Sequence, residues 1–270
     1  MPVHPLRSAL VCGAHLVPDV SVGHAPPGLV PLGWVDVDAE IHATCAAIGD
    51  HPGPAAVITA NRWIAPLSAV TNGLAIMRRA PMRIDDSTLF VASREGATGR
   101  SGVAVLDPAF VCLPVDVACG HDDARIVEID ELVDRTVGAL LDRIVEPFLE
   151  RLARASGLAL SALWGVTSWH LVGALTDWAN HAGRPDEIRR RAGEILAADH
   201  RLARAAPCMF TIATVAGSAL VTGGGSCCLA YRWLDGRRKC AGCPMRSRES
   251  QTREYERVYS RIAPTAVGGS

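Results

Sequence analysis

Four cysteines near the end of the chain constrain this sequence more than any other feature. They follow the pattern C-C-x(11)-C-x(2)-C and are Cys227, Cys228, Cys240 and Cys243. A packed apolar core has no need for four thiols in so short a segment. Four thiolates suit zinc or an iron-sulfur cluster, so the pattern predicts one metal centre held by all four.

The spacing of the cysteines bears on which metal they hold. Cys240 and Cys243 form a C-x-x-C pair, a common metal-binding turn. Neighbouring residues of an extended strand point to opposite faces, so Cys227 and Cys228 can share a site only if the backbone bends there. The glycines at 223–225 ease such a bend. A two-iron cluster accepts ligands from more directions than a single ion, which favours 2Fe-2S and leaves zinc as the alternative.

Charge and hydropathy exclude several classes of protein. The 270 residues include 27 basic and 28 acidic side chains, a balance that predicts no general attraction to nucleic acid or membrane. The N-terminus lacks the basic and apolar regions of a secretory signal, so we expect a cytoplasmic protein. The uncharged stretch from Ala205 to Tyr231 contains too many glycines and threonines to favour an integral membrane segment.

Apolar periodicity predicts a mainly helical chain. In 129–152 the apolar residues keep to one helical face with charges between them. Residues 1–33 contain several prolines and little periodicity, so we expect an irregular arm there. The predicted helices lie at 36–48, at 55–77 with a break near Pro66, at 129–152, at 160–178 and after Gly183-Arg184-Pro185.

Strand-like segments occur in the N-terminal half. Residues 83–93 and 102–107 resemble two strands joined by a long polar loop, which predicts a small antiparallel sheet. The fold class is therefore α+β and predominantly helical, with a cysteine hairpin at the C-terminal end. We predict an N-terminal α+β lobe at 1–125 and a helical lobe at 126–270, the latter with its cluster-binding segment at 223–246.

A basic hairpin is predicted between the two cysteine pairs. Asp235-Gly236 is a strong turn signal and would bring the pairs together. From Arg232 to Arg261 there are nine basic residues against four acidic ones. This charge would attract an anionic partner, although a solvated loop is the plain alternative. The candidate docking residues are Arg232, Arg237, Arg238 and Lys239.

Two stretches of the chain match motifs of a known protein family. The first is Ser226-Cys227-Cys228-Leu229-Ala230-Tyr231-Arg232 followed by Cys240-Ala241-Gly242-Cys243-Pro244, which resembles the C-terminal signature of the FhuF-like ferric-siderophore reductase family. Its Leu-Trp-Gly-Asn motif resembles Leu163-Trp164-Gly165-Val166 with Ser168, where Val166 replaces the asparagine. The interval between the cysteine pairs is one residue longer than in the family pattern.

The resemblance implies a cytoplasmic oxidoreductase whose four cysteines hold a 2Fe-2S cluster. Such an enzyme passes one electron to Fe(III) in a siderophore, here expected to be a hydroxamate, and releases Fe(II). Trp164, Trp169 and Trp178 could line a siderophore pocket, although their roughly helical spacing also fits core packing. No G-x-G-x-x-G motif follows a strand, so we expect electrons from a separate ferredoxin or flavoprotein.

Two other functions remain open from the sequence. One is a zinc-stabilised binding or regulatory module, and the other is an iron-sulfur electron carrier or redox sensor that does not reduce siderophores. Beyond the four cysteines, we expect His170 to be a hydrogen-bonded core histidine. A second metal site at Cys119, His121, Asp122 and Asp123 is an alternative to a plain loop. Core packing is expected for Cys12, Cys45, Cys112, Cys119 and Cys208.

Overall fold

The computed structural model describes residues 3–14, 19–92, 101–215, 217–227, 229 and 239–260. Within these ranges the chain is mainly helical with three small sheets, which confirms the predicted α+β class. The helices are α1 (Pro5–Gly13), α2 (Val37–Ile48), α3 (Pro52–Ile64), α4 (Ser68–Met77), α5 (Ile129–Leu140), α6 (Glu146–Ser156), α7 (Leu160–Ala182), α8 (Pro185–Ala197), α9 (His200–Arg204) and α10 (Arg248–Tyr259).

The strands are short and fall into three separate sheets. The first has the order β1-β4-β3, the second β2-β5-β6, and the third is the pair β7-β8. The strands are β1 (Asp19–Val22), β2 (Arg79–Pro81), β3 (Leu89–Ala92), β4 (Gly102–Val105), β5 (Phe110–Cys112), β6 (Ala124–Ile126), β7 (Cys208–Thr214) and β8 (Gly217–Gly223).

The predicted break at Pro66 is confirmed. Helices α3 and α4 are separated by a 3₁₀ turn over Ala65–Leu67, where the proline lacks the N–H that a continuous α-helix needs. Both helices are largely buried, as their apolar composition requires. Their faces contact α7, which carries one of the motifs near the cysteines.

The amphipathic stretch 129–152 is helical throughout, as predicted. It comprises α5, a π-helical turn at Leu141–Val145, and α6. Pro147 follows this turn and cannot donate to the carbonyl four residues before it, which accounts for the irregular winding. Helix α6 ends where Gly157 adopts a positive φ of 68°.

The antiparallel pairing of the two predicted strands is confirmed, and the sheet around it is larger than expected. Strands β3 and β4 pair with Leu89 opposite Val105. Strand β1 adds to the other side of β4 in parallel, and the second sheet also combines one antiparallel and one parallel pair. Each of the two N-terminal sheets therefore contains one parallel and one antiparallel pair of strands. The parallel pair of the first sheet was not predicted, because β1 lies in the segment expected to be irregular.

The predicted irregular arm at 1–33 is wrong for α1 and β1. Helix α1 buries Leu6 and Leu10 and lies close against α4. The backbones approach so closely that a Cβ on Gly13 would be 2.5 Å from the Gly73 nitrogen. Asn72 donates to the Gly13 carbonyl at 3.0 Å and so caps the helix. This order depends on a contact between residues distant in the chain, which local periodicity does not report.

One hydrophobic core contains buried side chains from Leu6 to Leu220. Helices α3 and α4 of the predicted N-terminal lobe contact α7 of the predicted helical lobe. Residues on both sides of the predicted boundary near 125 therefore share one core.

The uncharged stretch after Ala205 forms a β-hairpin. Strands β7 and β8 pair antiparallel, with Cys208 opposite Gly223. In the described part of the chain, no helix has both the length and the apolar character needed to cross a bilayer.

Replacing Gly13 by alanine should destabilise the protein. The new methyl group would overlap the α4 backbone, and overpacking of this kind costs about 1–3 kcal/mol of unfolding free energy. Gly138→Ala is the matched control, because nothing lies within 4 Å of a Cβ there and the helix gains up to about 1 kcal/mol in propensity. Urea unfolding measures both variants. Equal stability of Gly13→Ala and wild type would contradict the close contact of α1 with α4.

His170 should make stability fall as the pH falls. Burial lowers the pKa of His170 to about 4, from an ordinary value of 6.5, and its Nε2 lies 2.6 Å from Asn61 Oδ1. Below pH 6.5 this histidine is protonated in the unfolded chain but stays neutral in the folded chain until about pH 4. The unfolding free energy therefore falls by up to about 1.4 kcal/mol for each pH unit in that range.

The check is the unfolding free energy from neutral pH down to pH 5 in wild type and His170→Gln. Glutamine keeps an amide donor for Asn61 and removes the titration, so the acid slope should become shallower. His42→Gln, at an exposed position of α2, should leave the slope unchanged. Parallel slopes for all three proteins would rule out the buried neutral histidine.

Candidate metal centre

The two cysteine-bearing segments lie side by side. The first leaves β8 at Gly223 and leads to Cys227, and the second carries Cys240 and Cys243. The Gly224 N–H donates to the Gly242 carbonyl at 2.7 Å and joins the two. The tertiary structure therefore brings Cys227 into the neighbourhood of the C-x-x-C pair. Cys228 lies outside the described residues.

Ser226 fastens the first segment to helix α7. Its hydroxyl donates to the Ala162 carbonyl at 2.8 Å. Its Cβ and Oγ occupy the space that a Cβ on Gly165 would need, so only glycine fits at that position of the helix. The Trp-Gly motif and the Ser-Cys-Cys motif, identified separately in the sequence, are thus in direct contact.

The backbone bends after Cys227, as a shared site for adjacent cysteines requires. Leu229 has a positive φ of 56°, a conformation that branched and bulky residues seldom adopt. Its N–H donates to Cys227 Sγ at 3.4 Å. Such N–H···S bonds stabilise a thiolate and tune a bound cluster. The chain also bends at Gly225 and Ser226, at the end of the glycine run where the sequence predicts a bend.

Cys240 and Cys243 lie on a tight turn. The Cys243 N–H donates to the Cys240 carbonyl at 3.1 Å. Cys243 is buried, with 2% of its surface exposed, whereas Cys240 is exposed. Arg246 donates from Nε to the Cys240 carbonyl and from Nη2 to the Lys239 carbonyl. These bonds order the backbone that presents the two sulfurs.

Helix α10 holds this turn against β8. Gln251 donates to the Cys243 carbonyl at 2.9 Å, and the Tyr255 hydroxyl donates to the Thr222 carbonyl at 2.6 Å. Burial raises the pKa of Tyr255 to about 12, so the hydroxyl stays protonated as a donor at neutral pH. A Cβ on Gly242 would lie 2.6 Å from that hydroxyl oxygen, which leaves room for glycine alone.

The spread of the sulfurs bears on the choice between zinc and iron-sulfur. Among the described residues, one group of three candidate ligands lies within 4.8 Å, and it contains no cysteine. Sulfurs around one zinc ion lie about 4 Å apart, since Zn–S bonds are about 2.3 Å. The sulfurs of Cys227, Cys240 and Cys243 are therefore not all within 4.8 Å of one another. A two-iron cluster divides its ligands between two metal ions, so four thiolates suit it as a donor set.

A cavity of about 310 Å³ opens beside the first cysteine segment. Trp164 and Gly165 of α7 form one wall, Gly225 forms another, and basic residues from α9 complete it. Trp164 borders this cavity, but it is also part of the hydrophobic core, with 5% of its surface exposed. The lining residues are Leu160, Ser161, Trp164, Gly165, His200, Arg201, Arg204, Ala205 and Gly225.

The two arginines of this cavity differ in their surroundings. Arg201 lies over the Trp164 ring at 5.1 Å and pairs with Asp199, Asp142 and Glu146. The hydrogen bond to Asp199, with the other carboxylates, raises the pKa of Arg201, so it remains charged. Arg204 is exposed and makes no ion pair with any residue in the described ranges. Its charge is available to a ligand.

A larger cavity of about 770 Å³ lies along α5 and the π-helical turn that follows it. It is lined by Arg83, Arg135 and Arg143 together with four carboxylates, a net charge of −1. None of the predicted site residues lines this cavity, whereas Trp164 lines the smaller one. The smaller cavity is therefore the candidate site.

The structure describes only part of the predicted basic hairpin. Lys239 lies at the start of the C-x-x-C turn, where its Nζ donates to the Met245 carbonyl at 3.4 Å. The other docking candidates, Arg232, Arg237 and Arg238, lie outside the described residues, as does the predicted Asp235-Gly236 turn.

Several residues of the site were missed from the sequence. The expectation that Cys208 packs in the core is wrong, because it is exposed and accepts from Arg248 Nη2 at 2.6 Å. Gln251 and Tyr255 are four residues apart on an otherwise charged helix, a pattern that could have marked them as its packed face. The cavity arginine Arg204 had no local signal.

No family model matches this chain, and no curated protein matches it.

Gly242→Ala should weaken metal binding by displacing the C-x-x-C turn. The added methyl group collides with Tyr255 and with the Thr222 carbonyl at 2.7 Å, at a cost of about 1–3 kcal/mol. Iron, zinc and sulfide per chain, measured with the thermal midpoint, report the change. Ala241→Ser is the matched control on the same turn and should retain its metal. Full metal content in Gly242→Ala with an unchanged midpoint would contradict the assigned contact.

Proposed function

We propose that this chain is a 2Fe-2S ferric-siderophore reductase. The observation that carries the proposal is the junction of two cysteine-bearing segments beside a basic cavity lined by an indole. Cys227, Cys228, Cys240 and Cys243 would be the ligands. When bound, the cluster supplies one electron at a time. The cysteine pattern and its resemblance to the FhuF-like family support this function over a purely structural metal site.

The surroundings of the cysteines suit an electron-transfer centre. The Leu229 N–H bonded to Cys227 Sγ favours the thiolate form. Burial of Cys243 excludes water from one side, while exposure of Cys240 leaves the other side open to a partner. A centre that is half covered in this way is protected from solvent and remains within reach of a donor and an acceptor.

The substrate chemistry matches the cavity beside the cysteines. Fe(III) is a hard ion held by anionic oxygen atoms, and a single added electron gives Fe(II), which such ligands hold less tightly. We propose that the indole of Trp164 packs against the ferric chelate and that Arg204 donates to its hydroxamate oxygens. Nothing is hydrolysed, and no residue acts as a general acid or base.

The electron would come from a separate protein, an acidic ferredoxin or a flavoprotein of the cytoplasm. The segment from Lys239 to Arg257 carries five basic residues against Glu249, Glu254 and Glu256, a net charge of +2, and Arg257 pairs with Glu254. A surface of this charge attracts an acidic donor and speeds its association. One electron leaves the reduced donor and one ferric ion is reduced, so the reaction balances without a further reactant.

The test is anaerobic visible spectroscopy of the purified protein. We expect bands that bleach with dithionite and return when a ferric hydroxamate is added, with one Fe(II) trapped by a chelator for each cluster reoxidised. Arg204→Gln should slow reoxidation about tenfold, the value of one charge-assisted hydrogen bond, without altering the bands. Arg125→Gln, on β6, is the control and should not change the rate.

Each alternative function gives a different result. A colourless protein with bound zinc would overturn the proposal and indicate a binding or regulatory module. Reversible bands that ferric hydroxamate does not restore would indicate an electron carrier or redox sensor. Loss of colour in Cys240→Ser would establish that this thiol belongs to the centre, whichever of the two iron-sulfur functions holds.

A further inference from the structure

Three potential metal ligands from two distant parts of the chain lie close together. His4 Nε2 lies 3.2 Å from Asp123 Oδ2, and His121 Nδ1 lies 3.7 Å from the same oxygen. One ligand atom from each residue falls within 4.8 Å of the other two. This arrangement joins the start of α1 to the turn between β5 and β6. It contains none of the four cysteines, so it does not depend on the proposed reductase function.

Both imidazoles are held by packing and by the backbone. The His4 and His121 rings meet edge to face with centroids 5.0 Å apart, and Phe110 lies 5.8 Å from each. His4 Nδ1 accepts from the Leu6 N–H at the start of α1. His121 Nδ1 accepts from the Asp123 N–H. The side chains are therefore ordered by the fold and are not three mobile surface groups that happen to meet.

A buried ion pair and backbone hydrogen bonds hold the turn that carries His121 and Asp123. Asp116 accepts from Arg79 Nε at 2.6 Å and from the Ala118 N–H at 2.7 Å. The side chains of Arg79 and Asp116 are only 7% and 5% exposed. The Phe110 N–H also donates to the Asp123 carbonyl. A turn supported in this way can present two ligands at a constant separation.

We propose that His4, His121 and Asp123 bind one divalent transition-metal ion. Two imidazoles and one carboxylate are a donor set used by zinc and by non-haem iron, with bonds of about 2.0–2.2 Å. The side chains of the three residues are 23–38% exposed, which leaves the remaining coordination positions to water. The ion would link α1 to the β5–β6 turn and stabilise the ordered N-terminal segment.

Binding requires a change of tautomer at His4. With Nδ1 accepting from the backbone, the neutral ring carries its proton on Nε2 and donates it to Asp123. Ligation through Nε2 moves that proton to Nδ1 and gives up the bond from Leu6. His121 ligates through Nδ1 and weakens its bond from the Asp123 N–H. Three hydrogen bonds are therefore lost or weakened when the three metal bonds form.

The experiment uses Co(II) on the full chain without a polyhistidine tag, after labile ions are removed with a chelator. Difference spectra should show weak visible bands typical of nitrogen and oxygen ligands, saturating at one equivalent. Zn(II) should raise the thermal midpoint in parallel. His121→Ala and Asp123→Asn should each weaken binding at least about tenfold, while His42→Ala should bind as wild type.

His121→Ala and Asp123→Asn are the primary variants because His4 also caps α1. Their folding is checked by circular dichroism in the absence of metal. Strong sulfur-to-cobalt bands that these variants leave unchanged belong to the cysteine segments and do not count toward this site. Absence of the weak bands in wild type, or their persistence in both variants, would overturn the proposal. Thiolate bands in wild type that disappear in His121→Ala would contradict the claim that the ion is bound by nitrogen and oxygen atoms alone.

Discussion

The contact between Ser226 and Gly165 determines where the candidate metal centre lies. Ser226 rests on the α7 backbone and donates to the Ala162 carbonyl, so the segment leading to Cys227 cannot move away from that helix. The bond from Gly224 to Gly242 then carries the same constraint to the C-x-x-C turn. Both cysteine segments and the cavity at Trp164 therefore share one frame, built on α7.

The chemistry proposed for the site follows from this frame. Close packing leaves one sulfur buried and one exposed, and it places the cavity two residues before Cys227, at Gly225. The charge of Arg201 is balanced by its carboxylate neighbours, and its guanidinium lies over the Trp164 indole. Arg204 has no such partner among the described residues, so it supplies the charge that a ferric chelate would meet. The cavity thus contains one arginine held in ion pairs and one arginine whose charge is available to a ligand.

Much of the helical fold was predictable because its signals are local. The amphipathic face over 129–152, the break at Pro66 and the stop at Gly183 each depend on residues within one or two turns. Helix α1 was missed because its order comes from the approach of Gly13 to Gly73. In the site, a bend beside the glycines was predicted and occurs at Gly225 and Ser226. The positive φ of Leu229 was not predicted, because bulky residues seldom adopt it.

The sequence by itself determined the α+β class, the main helices and the four cysteines that make a metal centre the leading interpretation. Thiol spacing and hydrophobic period are short-range properties, and both are readable along the chain. Only the tertiary structure decided three contacts: Ser226 packs on Gly165, Arg204 lines the same cavity as Trp164, and His4 pairs with Asp123. These contacts join residues far apart in the chain. They form because α1, α7 and the β5–β6 turn pack against one large hydrophobic core.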